Sequence, residues 1–171
     1  MGTRCGDIDP GVLLYLMAEK GMDAAALTQL LYHESGLKGL SGVSHDMLAL
    51  ETSVDPHAAQ AIACFVARIR RGIGALAAAI GGIDALVFTG GIGENSTQIR
   101  AAVTANMEWL GVTIDPERNN NESYELSAQQ SRVRAFRIPT DEEAMIARYV
   151  VGLMAAAGAD LLPLDQVRWV A

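Results

Sequence analysis

The chain has 171 residues, half of them hydrophobic and only 5% aromatic, with a formal charge of -7. That length suits one domain with a core of Ala, Leu, Ile and Val, and the negative charge argues against a nucleic-acid backbone as partner. Two cysteines give neither a disulfide framework nor a metal-binding spacing, and the longest apolar stretch, residues 58–83, is too broken by arginine and glycine to span a bilayer.

Residues 1–8 read as a loop or a short extended piece, and their Arg4, Asp7 and Asp9 do not resemble a signal peptide. A soluble, reducing, cytoplasmic setting is expected. Asp9-Pro10 places a capping carboxylate before proline at the first helical position, predicting a helix to residue 20. A second helix is expected over 23–33, then a loop over 34–46, rich in glycine and serine. Asp55-Pro56 repeats the start signal. The long helix to residue 80 that follows carries apolar Ile62, Phe65, Val66, Ile69, Ile73 and Leu76. Cys64 reads as a small core residue in it, and Arg68, Arg70 and Arg71 as its solvated face.

Ala85–Thr89 is a β-prone run, followed by Gly90-Gly91-Ile92-Gly93-Glu94-Asn95-Ser96 and a helix over 96–110. Val112-Thr113-Ile114 is short and β-branched, and 115–131 reads as an exposed polar loop. Residues 133–138 form a second strand. Thr140 and Glu143 have capping-box spacing at the start of a last helix ending near residue 157. Met107 and Met145 are expected in the core, and His33, His45 and His57 on surfaces or loops.

Helices alternate with β runs, so the class is α/β. The β runs are few and short beside the helices, as in a piece of a larger fold. A strand, glycines and then a helix can bring backbone N–H groups close to a nucleotide or phosphate. The spacing is neither the dinucleotide fingerprint nor a P-loop, and glycines making a tight turn explain it equally.

Four stretches resemble the acetate/propionate kinase family, in family order. They are Met1-Gly2-Thr3-Arg4-Cys5-Gly6-Asp7-Ile8-Asp9-Pro10, Gly42-Val43-Ser44-His45-Asp46-Met47, Val87-Phe88-Thr89-Gly90-Gly91-Ile92-Gly93-Glu94-Asn95-Ser96, and Ile138-Pro139-Thr140-Asp141-Glu142-Glu143-Ala144-Met145-Ile146-Ala147. The resemblance is to the C-terminal part of that family. It implies a partial ribonuclease-H-like nucleotide-binding domain of the actin/Hsp70/sugar kinase superfamily, with a short sheet and several helices, over residues 1–157. Residues 158–171 form an unassigned tail.

The implied activity is reversible transfer of the γ-phosphoryl group of ATP to acetate, giving acetyl phosphate and ADP, with Mg2+ as cofactor. Arg4 would stabilise the transferring phosphoryl group, and Asp46, Met47 and Leu48 would lie at the adenosine pocket. Gly91, Ile92, Gly93, Glu94 and Asn95 would line the nucleotide, and Glu142 would be the magnesium ligand. The chemistry suits these types: a forked, permanent cation for spread equatorial charge, and a hard oxygen donor for magnesium. From the residues alone, Arg4 also reads as an exposed terminal arginine, Glu142 as a carboxylate favoured by a helix dipole, and Asp46 as a turn cap.

Cys5 stands where the family has serine, and Leu48 where it has an arginine near the adenine. The resemblance covers less than half of the family's length. A missing N-terminal half and an internal methionine at position 1 are therefore expected, as are impaired activity and unpaired sheet edges. The partners expected are ATP, acetate, and a second copy in a homodimer or the missing half. The alternatives are a non-catalytic nucleotide-binding or dimerisation remnant, or a propionate kinase fragment.

Overall fold

A computed structural model of the chain describes residues 2–156. The chain divides into two compact units, residues 1–138 and 139–171. The first contains α1 (Pro10–Ala18), α2 (Ala24–His33), α3 (Gly36–Ser41), α4 (Met47–Glu51), α5 (Pro56–Ile80), β1 (Ala85–Phe88), α6 (Gly90–Asn95), α7 (Thr97–Thr104), α8 (Pro116–Asn120) and β2 (Arg134–Arg137). The described part of the second is α9 (Glu142–Ala156). The tail, 158–171, lies outside the described residues, as does residue 157.

The Asp-Pro signals act as the sequence implies. Asp9 accepts the Gly11 N–H at 2.7 Å, and Asp55 accepts the His57 N–H at 2.8 Å. A third, Asp115-Pro116, opens α8 inside the stretch expected to be loop. That stretch is not uniformly exposed: Asn119, Leu126 and Ser127 are buried. Two further short helices, α3 and α4, occupy positions the composition marks as loop or leaves unassigned. The helix expected to 110 stops at Thr104, and the chain then turns through Asn106 at φ 61°, a left-handed value that asparagine tolerates.

β1 and β2 pair in parallel, with Ala85 opposite Arg134 and Phe88 opposite Arg137. Val112 and Ile114 make single bridges, to Val133 and Ser127, rather than a third strand. The main core gathers Leu37, Met47, Leu50, Val66, Phe88, Ile99, Val103, Leu126 and Ala135. Met107 joins a smaller cluster with Val112 and Val133, as expected of a core methionine.

Three expectations are corrected. Leu76 is 68% exposed, and the inward positions of α5 are held by alanines at 58, 61 and 77. Arg68 and Arg70 are not a solvated face. Arg68 Nη1 donates to the Cys5 carbonyl at 2.8 Å, and Arg70 donates to the carbonyls of Val103 and Ala102. Met145, on the helix of the second unit, is 45% exposed and not in a core. In α9, Asp141 accepts the Ala144 N–H at 2.8 Å, which puts a capping carboxylate one residue beyond Thr140. Cys64 is half-buried and opens on a cavity with Cys5. His33, His45 and His57 are exposed. Among the described residues no helix is long and apolar enough to cross a membrane.

The strongest polar anchor is Arg100 on α7, fully buried. Its Nη1 donates to the carbonyls of Gly93 at 3.0 Å and Glu94 at 2.7 Å. Nε and Nη2 donate to the side-chain and backbone oxygens of Asn119, at 2.7 and 3.1 Å. Arg137 adds a second donor to the Glu94 carbonyl at 2.8 Å. Burial, and then the charge of Arg137, works against the Arg100 cation, and Glu122 works for it. Carbonyl dipoles compensate the charge in place of an ion pair.

Replacing Arg100 by Met leaves these buried oxygens without donors. Denaturant unfolding is expected to show a loss of about 3 kcal/mol or more, with amide NMR shifts concentrated at Gly90–Asn95. The Asp55 carboxyl lies below its ordinary 3.8 because it accepts hydrogen bonds from the His57 backbone and ring. A depressed folded value gives stability that is present above the unfolded value and lost as pH falls through the folded one. Asp55→Ala is therefore expected to lower the melting temperature at pH 7, with the difference shrinking as pH drops below 3.8.

Candidate functional site

Two short helices, α4 and α6, face each other across one cleft. α4 starts at Asp46, whose carboxylate lies 3.4 Å from the Leu48 N–H at the helix start. Only Thr89 separates β1 from α6, so the glycine stretch is a helical turn rather than the open loop its composition suggests. Gly90 makes the entry at φ 70°, which a side chain would strain. Gly93 brings the turn back over the strand, where an added Cβ would stand 3.3 Å from the Phe88 carbonyl carbon.

The cavity between α4 and α6 measures about 360 Å³. Six of the residues expected from the sequence line it: Asp46, Met47, Leu48, Gly91, Ile92 and Asn95. Two others expected at the nucleotide do not. Gly93 lines a neighbouring apolar cavity with Phe65, Val87 and Val103. Glu94 folds back, and its Oε1 accepts the Gly90 N–H at 2.7 Å. The first N–H of the turn is therefore taken by protein, which removes Gly90 as a backbone donor to phosphate. Asn95 likewise bends onto its own helix, Nδ2 donating to the Gly91 carbonyl at 2.8 Å.

Two lining residues were given no site role from sequence, Glu51 and Ser96, the latter closing the glycine motif. Ser96 ends α6 and caps α7: its N–H donates to the Ile92 carbonyl at 2.9 Å, and its Oγ accepts the Ile99 N–H at 2.9 Å. Its hydroxyl donates to Glu51 Oε1, joining the ends of the two walls. The usable signal was spacing. Glu51 lies four residues after Met47, which shares a helical face with it.

The cleft is lined by two carboxylates, Asp46 and Glu51, and by apolar Met47, Leu48 and Ile92, with no lysine or arginine. Such a lining receives hydrogen-bond donors on an apolar body better than it receives an anion.

Arg4 lies outside this lining. It is exposed, with its guanidinium 5.4 Å from the Tyr32 ring centroid. Its backbone neighbours are fixed, because the Cys5 N–H donates to the Leu31 carbonyl at 3.0 Å and the Ser35 N–H to the Thr3 carbonyl at 2.9 Å. Gly6, at φ 67°, presses on the Arg68 guanidinium with no room for a Cβ. Glu142 is exposed in the first turn of α9, in the second unit. Among the described residues no three His, Cys, Asp or Glu side chains cluster as a metal site.

Comparison with known proteins shows the family and the fold. The chain is 59% identical over 160 residues to an acetate kinase of Methylocella silvestris, covering 92% of this chain and 40% of that protein. The crystal structure of Porphyromonas gingivalis acetate kinase superposes with a TM-score of 0.83 at 41% identity, covering 90% of this chain and 40% of that one. The structure of a propionate kinase from Francisella tularensis gives a TM-score of 0.80 at 35% identity, covering 86% and 39%. These neighbours bear out the expected fold, a partial ribonuclease-H-like α/β domain with a short parallel sheet and several helices. The chain spans about 40% of the length of the curated relatives it matches. The model of the acetokinase family matches residues 1–148, and the chain belongs to that family.

Proposed function

We propose that residues 1–157 are the C-terminal nucleotide-binding domain of an acetate kinase, which transfers the γ-phosphoryl group of ATP reversibly to acetate. The observation that carries this reading is the convergence of Asp46, Met47 and Leu48 with Gly91, Ile92 and Asn95 on one cleft. Its donor-seeking, cation-free lining suits a nucleoside, whose base brings apolar faces and whose edges bring N–H and O–H groups. The phosphates then lie beyond this lining.

Arg4 is assigned to the transferring phosphoryl group. Spread equatorial charge is met by a planar cation that cannot lose its proton, and the clamped backbone beside Arg4 positions it. Magnesium takes hard oxygen donors, one or two of them carboxylates, with phosphate and water completing its shell. Glu142 is such a donor and is assigned to it. When bound, the ion neutralises polyphosphate charge. The acetate pocket, the other phosphate contacts and a homodimer partner are assigned to the full-length enzyme, of which this chain spans a part.

Two other readings have observations in their favour. The likeness to a propionate kinase favours that acid as substrate. Leu48, 67% exposed at the cleft where the family has arginine, favours a weakened nucleotide site and a module without catalysis.

Titrating the 171-residue chain with Mg-ATP is expected to shift the amide NMR signals of Met47–Glu51 and Gly90–Ser96 and to leave α1 unmoved; shifts spread evenly over the chain sink the reading. The chain alone is expected to turn over no acetyl phosphate with ADP. Co-expression with the N-terminal portion of the Methylocella silvestris enzyme is expected to restore turnover. Arg4→Ala should then cut kcat by about 10³-fold or more, and an unchanged kcat removes Arg4 from the site.

A further inference from the structure

We infer that Glu51 is a specificity-determining residue of the cleft, accepting a hydrogen bond from an N–H or O–H group of the nucleoside. The inference rests on the nucleoside reading of that cleft. Glu51 is half-buried on the last turn of α4 and lines the cavity. One of its oxygens, Oε1, is pinned by the Ser96 hydroxyl. That hydroxyl is itself fixed, because Ser96 Oγ also accepts the Ile99 N–H at 2.9 Å. The carboxylate is thus held in one orientation by a residue that both helices of the far wall share.

The other oxygen, Oε2, has no hydrogen-bond partner among the described residues. An ionised carboxylate only accepts, with about two lone pairs at each oxygen. Held at the edge of an apolar cavity of about 360 Å³, it selects a ligand that presents a donor and disfavours one that presents an oxygen at the same point. Asp46, the other acid of the lining, differs in kind: it is exposed, and its Oδ1 is directed to the start of α4. Two donors of a nucleoside fit Glu51, the exocyclic amine of adenine and a ribose hydroxyl. Both present the same chemistry to the carboxylate.

The test measures the affinity of the 171-residue chain for Mg-bound ATP, ITP, 2′-deoxy-ATP and 3′-deoxy-ATP by NMR titration. ITP carries an oxygen in place of the amine, and each deoxy form lacks one hydroxyl. The parent chain is expected to prefer ATP over one of these by about tenfold or more, as a charge-assisted hydrogen bond supplies. Glu51→Gln keeps the shape of the side chain and is expected to cut that preference several-fold. Glu51→Ala is expected to abolish it, leaving affinity for the disfavoured analogue unchanged. The analogue concerned identifies the donor, base amine or ribose hydroxyl.

If both variants weaken all four nucleotides equally, Glu51 only shapes the wall and the inference is overturned. If neither variant changes any affinity, it is overturned also. If the parent chain binds none of the four, the nucleoside reading itself fails and takes the inference with it. Melting curves check that each variant folds, and Glu51→Gln keeps the test decisive should Glu51→Ala not fold.

Discussion

The cleft depends on a cation that never reaches it. Arg100 sits under the α6 turn and holds the carbonyls of Gly93 and Glu94 from below, while its other nitrogens grip Asn119. A turn so rich in glycine carries little intrinsic preference for one shape. The shape is imposed by donors aimed at the last carbonyls of the turn, where a short helix has none of its own to satisfy them. Arg137 repeats the device from β2, donating to the carbonyls of Glu94 and of Glu122, just past α8, so strand, turn and the segment after α8 are tied together. Arg70 does the same for the end of α7. Three arginines of an acidic chain are thus spent on backbone oxygens, and the ligand-facing surface of the cleft carries none.

That division explains the chemistry of the lining. With cations committed to structure, the α4 wall presents the carboxylates of Asp46 and Glu51 beside apolar Met47 and Leu48, and the α6 wall presents Ile92. Glu94 shows the same economy. Its carboxylate accepts the Gly90 N–H and so closes the start of its own turn. The walls can then differ in what they contribute. α6 brings the backbone of Gly91 to the cavity, and α4 brings the carboxylates of Asp46 and Glu51.

Local signals in the sequence were reliable where their physics is local. An aspartate before proline starts a helix because its carboxylate accepts hydrogen bonds from nearby backbone N–H groups, and no distant residue is needed. The two β runs were legible for the same reason, whereas the six positions that meet in the cleft were marked by the resemblance to family motifs and not by local physics. What was not legible depends on partners far along the chain. Arg68 and Arg70 look solvated on a helical wheel and become anchors only when the carbonyls of Cys5, Ala102 and Val103 arrive. Helices α3, α4 and α8 are too short for periodicity to register. Glu51 carries no signature alone, and its place follows from Ser96, forty-odd residues away.

The pairing of β1 with β2 bears on how the chain reaches this state. Ala85 pairs with Arg134, so residues 89–133 must be made before the sheet can close. At ribosomal rates of roughly 5–20 residues per second that is a delay on the order of seconds. Among the described residues β2 is the only strand on which Ala85-Leu86-Val87-Phe88 can pair. The entropy of closing so long a loop slows the pairing further. The earliest moment at which this pair can form is therefore set by the position of β2 in the gene.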